Sequence, residues 1–343
     1  MVTRREFKKL MLASCFLGSF AVATASCATS GNEAQSGSDS PTAVEPKTVR
    51  LAQNLSPISG VAIVAKQQGF FDEYGLNVEV SNFTSGKQCL ETVVGGGADI
   101  ATTAEAPTTA AAMAKQPIAF LARMEYSDLK TLTLKSSEIG TLADLKGKKI
   151  GFTAGTGSEV YTMSVLAKAG LSPDDVELVN LRPQEMIPAL SSESIDAYNT
   201  WEPHVSNGKK SMGEKVAQID TSGIYSETFN IVTMVDYLNQ EPEVAENFLR
   251  ALIDAEQWMK ANPADAIAVI AETVEMKEED LAAIWDDYVY EVVLDQKTLD
   301  ILNTHATWRL ESGNHPPNAE MPDFTTVIYS EPLKNVAPDR VKI

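Results

Sequence analysis

Residues 76–123 read LNVEVSNFTSGKQCLETVVGGGADIATTAEAPTTAAAMAKQPIAFLAR, and the rhythm of this stretch decides the fold. Leu76 to Phe83 alternates apolar and polar side chains, the pattern of a half-buried strand. Gly86 to Val94 switches to helical spacing, with Cys89 and Val93 on one face. Ala98 to Thr102 reads as a buried strand, Pro107 to Lys115 as a helix and Ile118 to Arg123 as another strand. Upstream, Thr48 to Gln53 is a strand and Gly60 to Gln68 a helix. The order β-α-β-α-β-α-β predicts an α/β chain with a mainly parallel sheet covered on both faces.

A second, smaller copy follows: a strand at Lys149 to Phe152, a helix at Ser158 to Lys168, a strand at Val176 to Leu181, a helix at Gln184 to Ser191 and an extended run at Ile195 to Thr200. The halves share wording as well as rhythm. Gly69-Phe70-Phe71 and Tyr74-Gly75-Leu76 lead to Gly97-Ala98-Asp99-Ile100, while Ala169-Gly170-Leu171 and Asp175-Val176 lead to Ser194-Ile195-Asp196-Ala197. Each Gly-Leu step reads as a helix C-cap turning into a strand. Four helices close the chain at Glu243 to Ala261, Pro263 to Thr273, Lys277 to Tyr288 and Lys297 to Leu310. Their Trp258, Trp285 and Trp308 read as core anchors.

The N-terminus carries an address. Thr3-Arg4-Arg5-Glu6-Phe7-Lys8-Lys9 is a basic head, and Leu10 to Ala25 an apolar run too short and too broken to span a bilayer. Small residues precede Cys27, so residues 1–27 read as an export signal with a lipobox, Cys27 being lipidated. Leu12-Ala13-Ser14-Cys15 also fits a lipobox by residue type but leaves little apolar segment ahead of it. Arg4-Arg5 leaves open a twin-arginine route beside the general one. Residues 28–47 hold hardly an apolar side chain and read as a flexible tether.

The formal charge is −19. The first 27 residues carry four basic groups and one acidic one, a net of +3, leaving the remainder at about −22. That excludes nucleic acid as a partner and leaves the lipid as the only membrane attachment. With Cys15 removed and Cys27 lipidated, only Cys89 remains, so the chain folds without an internal disulfide.

In order along the chain, Ser56-Pro57, Ala65 to Gly75-Leu76, Thr84-Ser85-Gly86, Gly96 to Ile100, Leu142 to Gly151, Gly155-Thr156-Gly157-Ser158, Ala169 to Val176, Ile195-Asp196-Ala197 and Trp201-Glu202-Pro203 resemble the extracytoplasmic solute-binding proteins of ABC importers. The branch they resemble captures taurine, alkanesulfonates, nitrate or thiamine-precursor pyrimidines. The resemblance implies a two-lobed periplasmic binding protein fold of type II, each lobe a mainly parallel sheet flanked by helices, joined by two hinge crossings. It implies one lobe from 48–134 plus 229–343 and another from 135–228, with crossings at Tyr126 to Ser136 and Thr228 to Val235.

Ligands of doubly wound sheets sit outside the carboxyl ends of the strands, where helices begin and their N–H groups favour anions. The candidate contacts are Gln53, Asn54, Ser59, Gly60, Ser85, Gly86, Thr103, Thr156, Gly157 and Ser158, with Trp201 and Phe229 as walls and the acids Glu105, Glu159 and Glu202. Ser and Thr at these places also cap helices without binding anything. Tyr161 is a further wall, and Arg123 and Arg182 are further anion partners. An acid facing the cleft implies a ligand with an amine or another donor beside its anion.

No enzyme signature competes. The three histidines, His204, His305 and His315, have no metal-ligand spacing, His204 reads as a surface residue, and Cys89 has no base partner. The expectation is a monomeric receptor without cofactor or metal, held outside the cytoplasmic membrane through Cys27, that captures a small anionic or zwitterionic solute and delivers it by hinge closure to an ABC permease with its ATPase. The alternatives are a receptor for a thiamine-precursor pyrimidine or another heterocycle, and a lipoprotein serving as an interaction or sensor platform.

Overall fold

The computed structural model describes residues 45–343, so the expected signal segment, Cys27 and the tether up to residue 44 lie outside the described residues. The first strand begins at Lys47, inside the expected end of the tether.

The strands are β1 (Lys47–Asn54), β2 (Leu76–Phe83), β3 (Ile100–Ala104), β4 (Ile118–Asp128), β5 (Lys130–Leu134), β6 (Lys149–Phe152), β7 (Glu177–Asn180), β8 (Ala197–Thr200), β9 (Val216–Ile219), β10 (Ser226–Met234), β11 (Val289–Asp295) and β12 (Val341–Lys342). The helices are α1 (Gly60–Gln67), α2 (Phe70–Glu73), α3 (Gly86–Val94), α4 (Glu105–Met113), α5 (Gly157–Lys168), α6 (Met186–Ser191), α7 (His204–Met212), α8 (Val235–Gln240), α9 (Pro242–Ala261), α10 (Pro263–Thr273), α11 (Glu278–Ala282), α12 (Gln296–Ser312) and α13 (Glu331–Val336).

Two sheets result, a seven-stranded one ordered β12-β11-β4-β10-β3-β1-β2 and a five-stranded one ordered β7-β6-β8-β5-β9. Both are mixed rather than mainly parallel. In the larger sheet β10 runs antiparallel to β3 and β4, and in the smaller one β5 runs antiparallel to β8 and β9. The reason is topological: the strands that carry the chain from one sheet to the other enter against the direction of the β-α-β strands beside them.

Strand pairing also moves the crossings. Lys130–Leu134 pairs within the smaller sheet and Ser226–Met234 within the larger, so the chain passes between sheets at Leu129 and again over 220–225. The sequence reading set the second lobe at 135–228 because alternation announces a strand without saying which sheet takes it. The expected helix over 277–288 is likewise shortened. It ends at Ala282, and Val289–Asp295, rich in β-branched and aromatic residues, joins β4 as a strand.

The main buried cluster runs from the larger sheet to Ile150, Ala197 and α5, and a second one lies against the smaller sheet. Phe71 stacks on Phe248 at 4.7 Å, tying α2 to the long α9, and α1 is buried through Val61, Ala62, Ile63 and Val64. In the smaller sheet Leu132, Leu134, Ile195 and Tyr198 pack against Met186 and Leu190 of α6 and Val205 of α7. Cys89 is fully buried beside Val93, with its Sγ 3.4 Å from the Ser85 carbonyl oxygen.

Gly86 opens α3 so close to β3 that an added Cβ would lie 2.9 Å from the Thr103 Cα and 3.1 Å from the Phe229 ring. Backbone cannot retreat from such a contact. Gly86→Ala should therefore lower the unfolding free energy by about 1–3 kcal/mol, read from denaturant titration.

Candidate functional site

Parallel and antiparallel register bring five ends to one edge of the larger sheet. The carboxyl ends of β1 and β3 (Gln53, Asn54; Thr103, Ala104) stand beside the start of β10, because Phe229 pairs with Ala104. The carboxyl end of β4 follows, with Phe229 opposite Glu125, and then the start of β11, with Tyr290 also opposite Glu125. In the smaller sheet the carboxyl ends of β6 and β8 lie with the start of β5, since Lys130 pairs with Thr200. Both crossings leave from these edges, so the edges face one another.

Polar contacts bridge the gap. The Ser56 hydroxyl donates to the Glu202 carbonyl oxygen at 2.6 Å, Lys87 donates to the Ala154 carbonyl oxygen at 3.4 Å, and Lys130 pairs with Asp287 at 2.6 Å. Glu227 on β10 reaches across to α5: a Cβ added to Gly157 would stand 3.0 Å from its carboxyl carbon.

Most of the expected hydroxyl ligands are engaged within the protein. Ser85 caps α3 by accepting from the Gln88 N–H, and Thr156 caps α5 by accepting from the Ser158 N–H at 3.2 Å. Ser158 accepts from the Thr153 N–H and donates to the Asn199 carbonyl oxygen. Thr103 donates to the Gly86 carbonyl oxygen, and Ser59 shares a hydrogen bond with Thr102. Gly60 lies beneath Tyr290, and Phe229 packs over Gly86.

The expected acids have separate fates. Glu159 folds back so that its Oε2 accepts from the Gly155 N–H at 2.8 Å. Glu202 accepts from the Ser206 N–H at 2.8 Å and faces Lys130 at 3.4 Å. Glu105, fully buried, accepts from the Thr228 N–H and hydroxyl and from Tyr225, while His305 Nε2 stands 3.3 Å away. Burial pushes the Glu105 pKa up, but His305, Tyr225 and the Thr228 N–H outweigh it and leave the group below its ordinary value.

Other groups have no partner within the chain. Both polar atoms of the Asn54 side chain, Gln53 Oε1, the Thr200 hydroxyl and the Trp201 indole N–H are buried and unpaired. To these the structure adds residues that the sequence reading missed: Glu125 with both oxygens unpaired, Glu227 Oε2, Asn230 Oδ1 and the Tyr288 hydroxyl. Glu125 is 0% exposed and Glu227 3%. The only sequence signal for them is an acid inside an otherwise apolar or hydroxylic strand, Met124-Glu125-Tyr126 and Ser226-Glu227-Thr228. Each such atom costs about 1–3 kcal/mol unless something outside the chain satisfies it, and nearly all border the two facing edges.

Of the basic candidates, Arg182 is exposed and pairs with Glu185 at 2.6 Å beside its own helix start. Arg123 is buried and pairs with Asp295 at 2.7 Å, leaving Nε and Nη1 unpaired. Tyr161 is bound to Thr131 and Thr221 and is not free to serve as a polar wall. His204 is half-buried against Trp201, ring centres 6.1 Å apart, rather than on the surface. Burial raises the Cys89 thiol pKa, the opposite of activation. Among the described residues no group of His, Cys, Asp and Glu is arranged to hold a metal ion, and no helix is long and apolar enough to cross a membrane.

Burial also pushes the Glu125 and Glu227 pKa values well above the carboxylate range; Glu105 and Glu125 raise Glu227 further, and the Ser127 hydroxyl and then Arg123 ease Glu125 only in part. The folded protein thus keeps protons that the unfolded chain has already released, so stability falls as pH rises through the folded-state values. Glu105 acts oppositely, and its contribution is lost only at the acid end, as pH falls through its lowered value. The thermal midpoint of ligand-free protein should fall between about pH 5 and pH 8, and the slope should flatten in Glu125→Gln.

Comparison with known proteins identifies the family and the fold. The family model described as NMT1/THI5 like matches residues 57–266. The taurine-binding periplasmic protein of Escherichia coli (strain K12) is 29% identical over 197 residues, 57% of this chain and 61% of that one. Two solved structures show the same fold. The alkanesulfonate-binding protein from Xanthomonas axonopodis pv. citri bound to MOPS has a TM-score of 0.74 and 19% identity over 84% of this chain and 100% of its own. The periplasmic aliphatic sulphonate binding protein from Escherichia coli has a TM-score of 0.71 and 20% identity over 85% and 99%.

Proposed function

The chain belongs to the NMT1/THI5-like family, and from that premise we propose that it is an exported receptor which takes up a small zwitterionic solute between its two lobes and delivers it to an ABC permease. The observation that carries the reading is the set of unpaired buried groups on the facing edges. Asn54 and Gln53 come from the larger sheet, and Thr200 and Trp201 from the end of the smaller one. A solute between the edges satisfies groups of both lobes at once and so favours the closed form.

The set is two-sided. Asn54 Nδ2, the Trp201 N–H and the Tyr288 hydroxyl are donors suited to an oxyanion, while Glu125 and Glu227 are acceptors suited to an amine. An amino-sulfonate of the taurine type meets both demands. Nitrate or a plain alkanesulfonate meets only one and leaves the carboxyls unsatisfied. The aromatic wall favours a second reading, an aminated heterocycle such as a thiamine-precursor pyrimidine. Tyr288 and Tyr290 stack at 5.6 Å with planes 15° apart, and Trp285 lies 5.3 Å from Tyr290. Anchorage through Cys27 remains part of the proposal on the strength of the sequence alone.

A thermal-shift panel of taurine, ethanesulfonate, nitrate, an aminomethylpyrimidine and an aromatic carboxylate tests the receptor. A true ligand at a hundred times its dissociation constant adds about 2.7 kcal/mol of stability. Taurine or the aminopyrimidine should give a saturable rise that Asn54→Ala and Trp201→Phe reduce. Protein that is folded and shifts with none of these compounds contradicts the proposal.

A further inference from the structure

The first turn of α5 is where a bare oxyanion would be expected to dock. It opens on Thr156-Gly157-Ser158 at the carboxyl end of β6, and its N–H groups carry the positive end of a twelve-residue helix. That position is already taken. The Glu227 carboxyl, delivered from β10 of the larger sheet, lies against Gly157 so closely that an added Cβ would be 3.2 Å from each of its oxygens. A second carboxyl, Glu159, turns back on the Gly155 N–H of the same corner. Two of the protein's own acids, one from each lobe, thus border the helix start.

Glu227 is not absorbed by this contact. It is 3% exposed, and its Oε2 has no partner in the chain. Glu125, also buried and unpaired at both oxygens, is close enough to perturb it electrostatically. The buried cations nearby form their ion pairs with other acids, although Arg123 and Lys297 still ease Glu125 through space. Arg123 pairs with Asp295, Lys130 with Asp287 and Glu202, and Lys87 lies at the Ala154 carbonyl oxygen. Two buried carboxyls with unpaired oxygens, one of them against the first turn of α5, favour a positive group and penalise a negative one.

We infer that Glu227 sets the charge selectivity of the receptor: it closes the α5 corner to bare oxyanions and, together with Glu125, receives the ammonium or amidinium group of the ligand. The inference rests on the receptor reading above and extends it by naming the discriminating residue. A purely structural Glu227, serving as a latch between lobes, would affect every ligand alike. A selectivity residue changes the ratio between ligands of different charge.

The test uses matched probes, taurine with ethanesulfonate and benzamidine with benzoate, titrated calorimetrically into wild-type protein, Glu227→Gln and Glu227→Asp. Circular dichroism confirms that each is folded. Wild type should bind the nitrogen-bearing member of a pair at least about tenfold more tightly, and Glu227→Gln should reduce that ratio at least about tenfold by admitting the oxyanion. Glu227→Asp, which keeps the charge, should keep the preference, so a Gln variant that misfolds is replaced by the Asp variant's ratio. Binding by wild type with the same ratio in Glu227→Gln, or a ratio lost in Glu227→Asp, overturns the inference and leaves the receptor standing. No binding of any probe by folded wild type overturns the receptor reading and the inference with it.

Discussion

The structure depends on a burial that is expensive by itself. Three glutamates, Glu105, Glu125 and Glu227, lie at one edge of the larger sheet with at most 3% of their surface exposed. Removing a carboxyl from water raises its pKa or demands a partner. Glu105 has partners on three sides, from Tyr225, Thr228 and His305, and this ties α4 to the strand and loop of the return crossing and to α12. Glu125 and Glu227 do not have them, and the difference separates a structural acid from the two that the proposed function assigns to a ligand.

The same edge explains how the lobes can part. The chain passes between sheets only at Leu129 and over 220–225, and several of the contacts across the gap are single polar ones, such as Ser56 to Glu202 and Lys87 to Ala154. The apolar packing is partly shared, since Ile150, Tyr161, Val165 and Trp201 belong to the same buried cluster as the residues around the larger sheet, while Leu132, Leu134, Met186 and Val205 form a cluster of their own. A ligand that satisfies unpaired groups on both sides shifts the population toward closure by its differential affinity for the closed form.

Much of the fold was legible because its signals are local. Leu76–Phe83, Gly86–Val94 and Lys149–Phe152 begin and end where alternation and helical spacing put them. Val289–Asp295 was not legible as a strand, because it lies between two runs of helical spacing and its partner β4 lies more than 150 residues away in sequence. The site was legible in place but not in chemistry. Ser85, Thr156 and Ser158 sit where the helices begin, yet their hydroxyls are occupied by caps and neighbours. Glu125 and Glu227 were missed because nothing in a strand's pattern tells whether an acid points to water or into a gap between lobes; only the register of β4, β10 and β11 decides it.

Burial favours the protonated forms of Glu125 and Glu227, so a positive ligand group placed against them, as proposed, should displace protons. Isothermal titration calorimetry of one amine probe, taurine or benzamidine, in two buffers of different ionisation enthalpy near pH 6 measures the protons exchanged on binding. The account predicts net proton release by wild type and a clear reduction of it in Glu125→Gln. Tight binding whose heat is the same in both buffers, with no proton released, would contradict it.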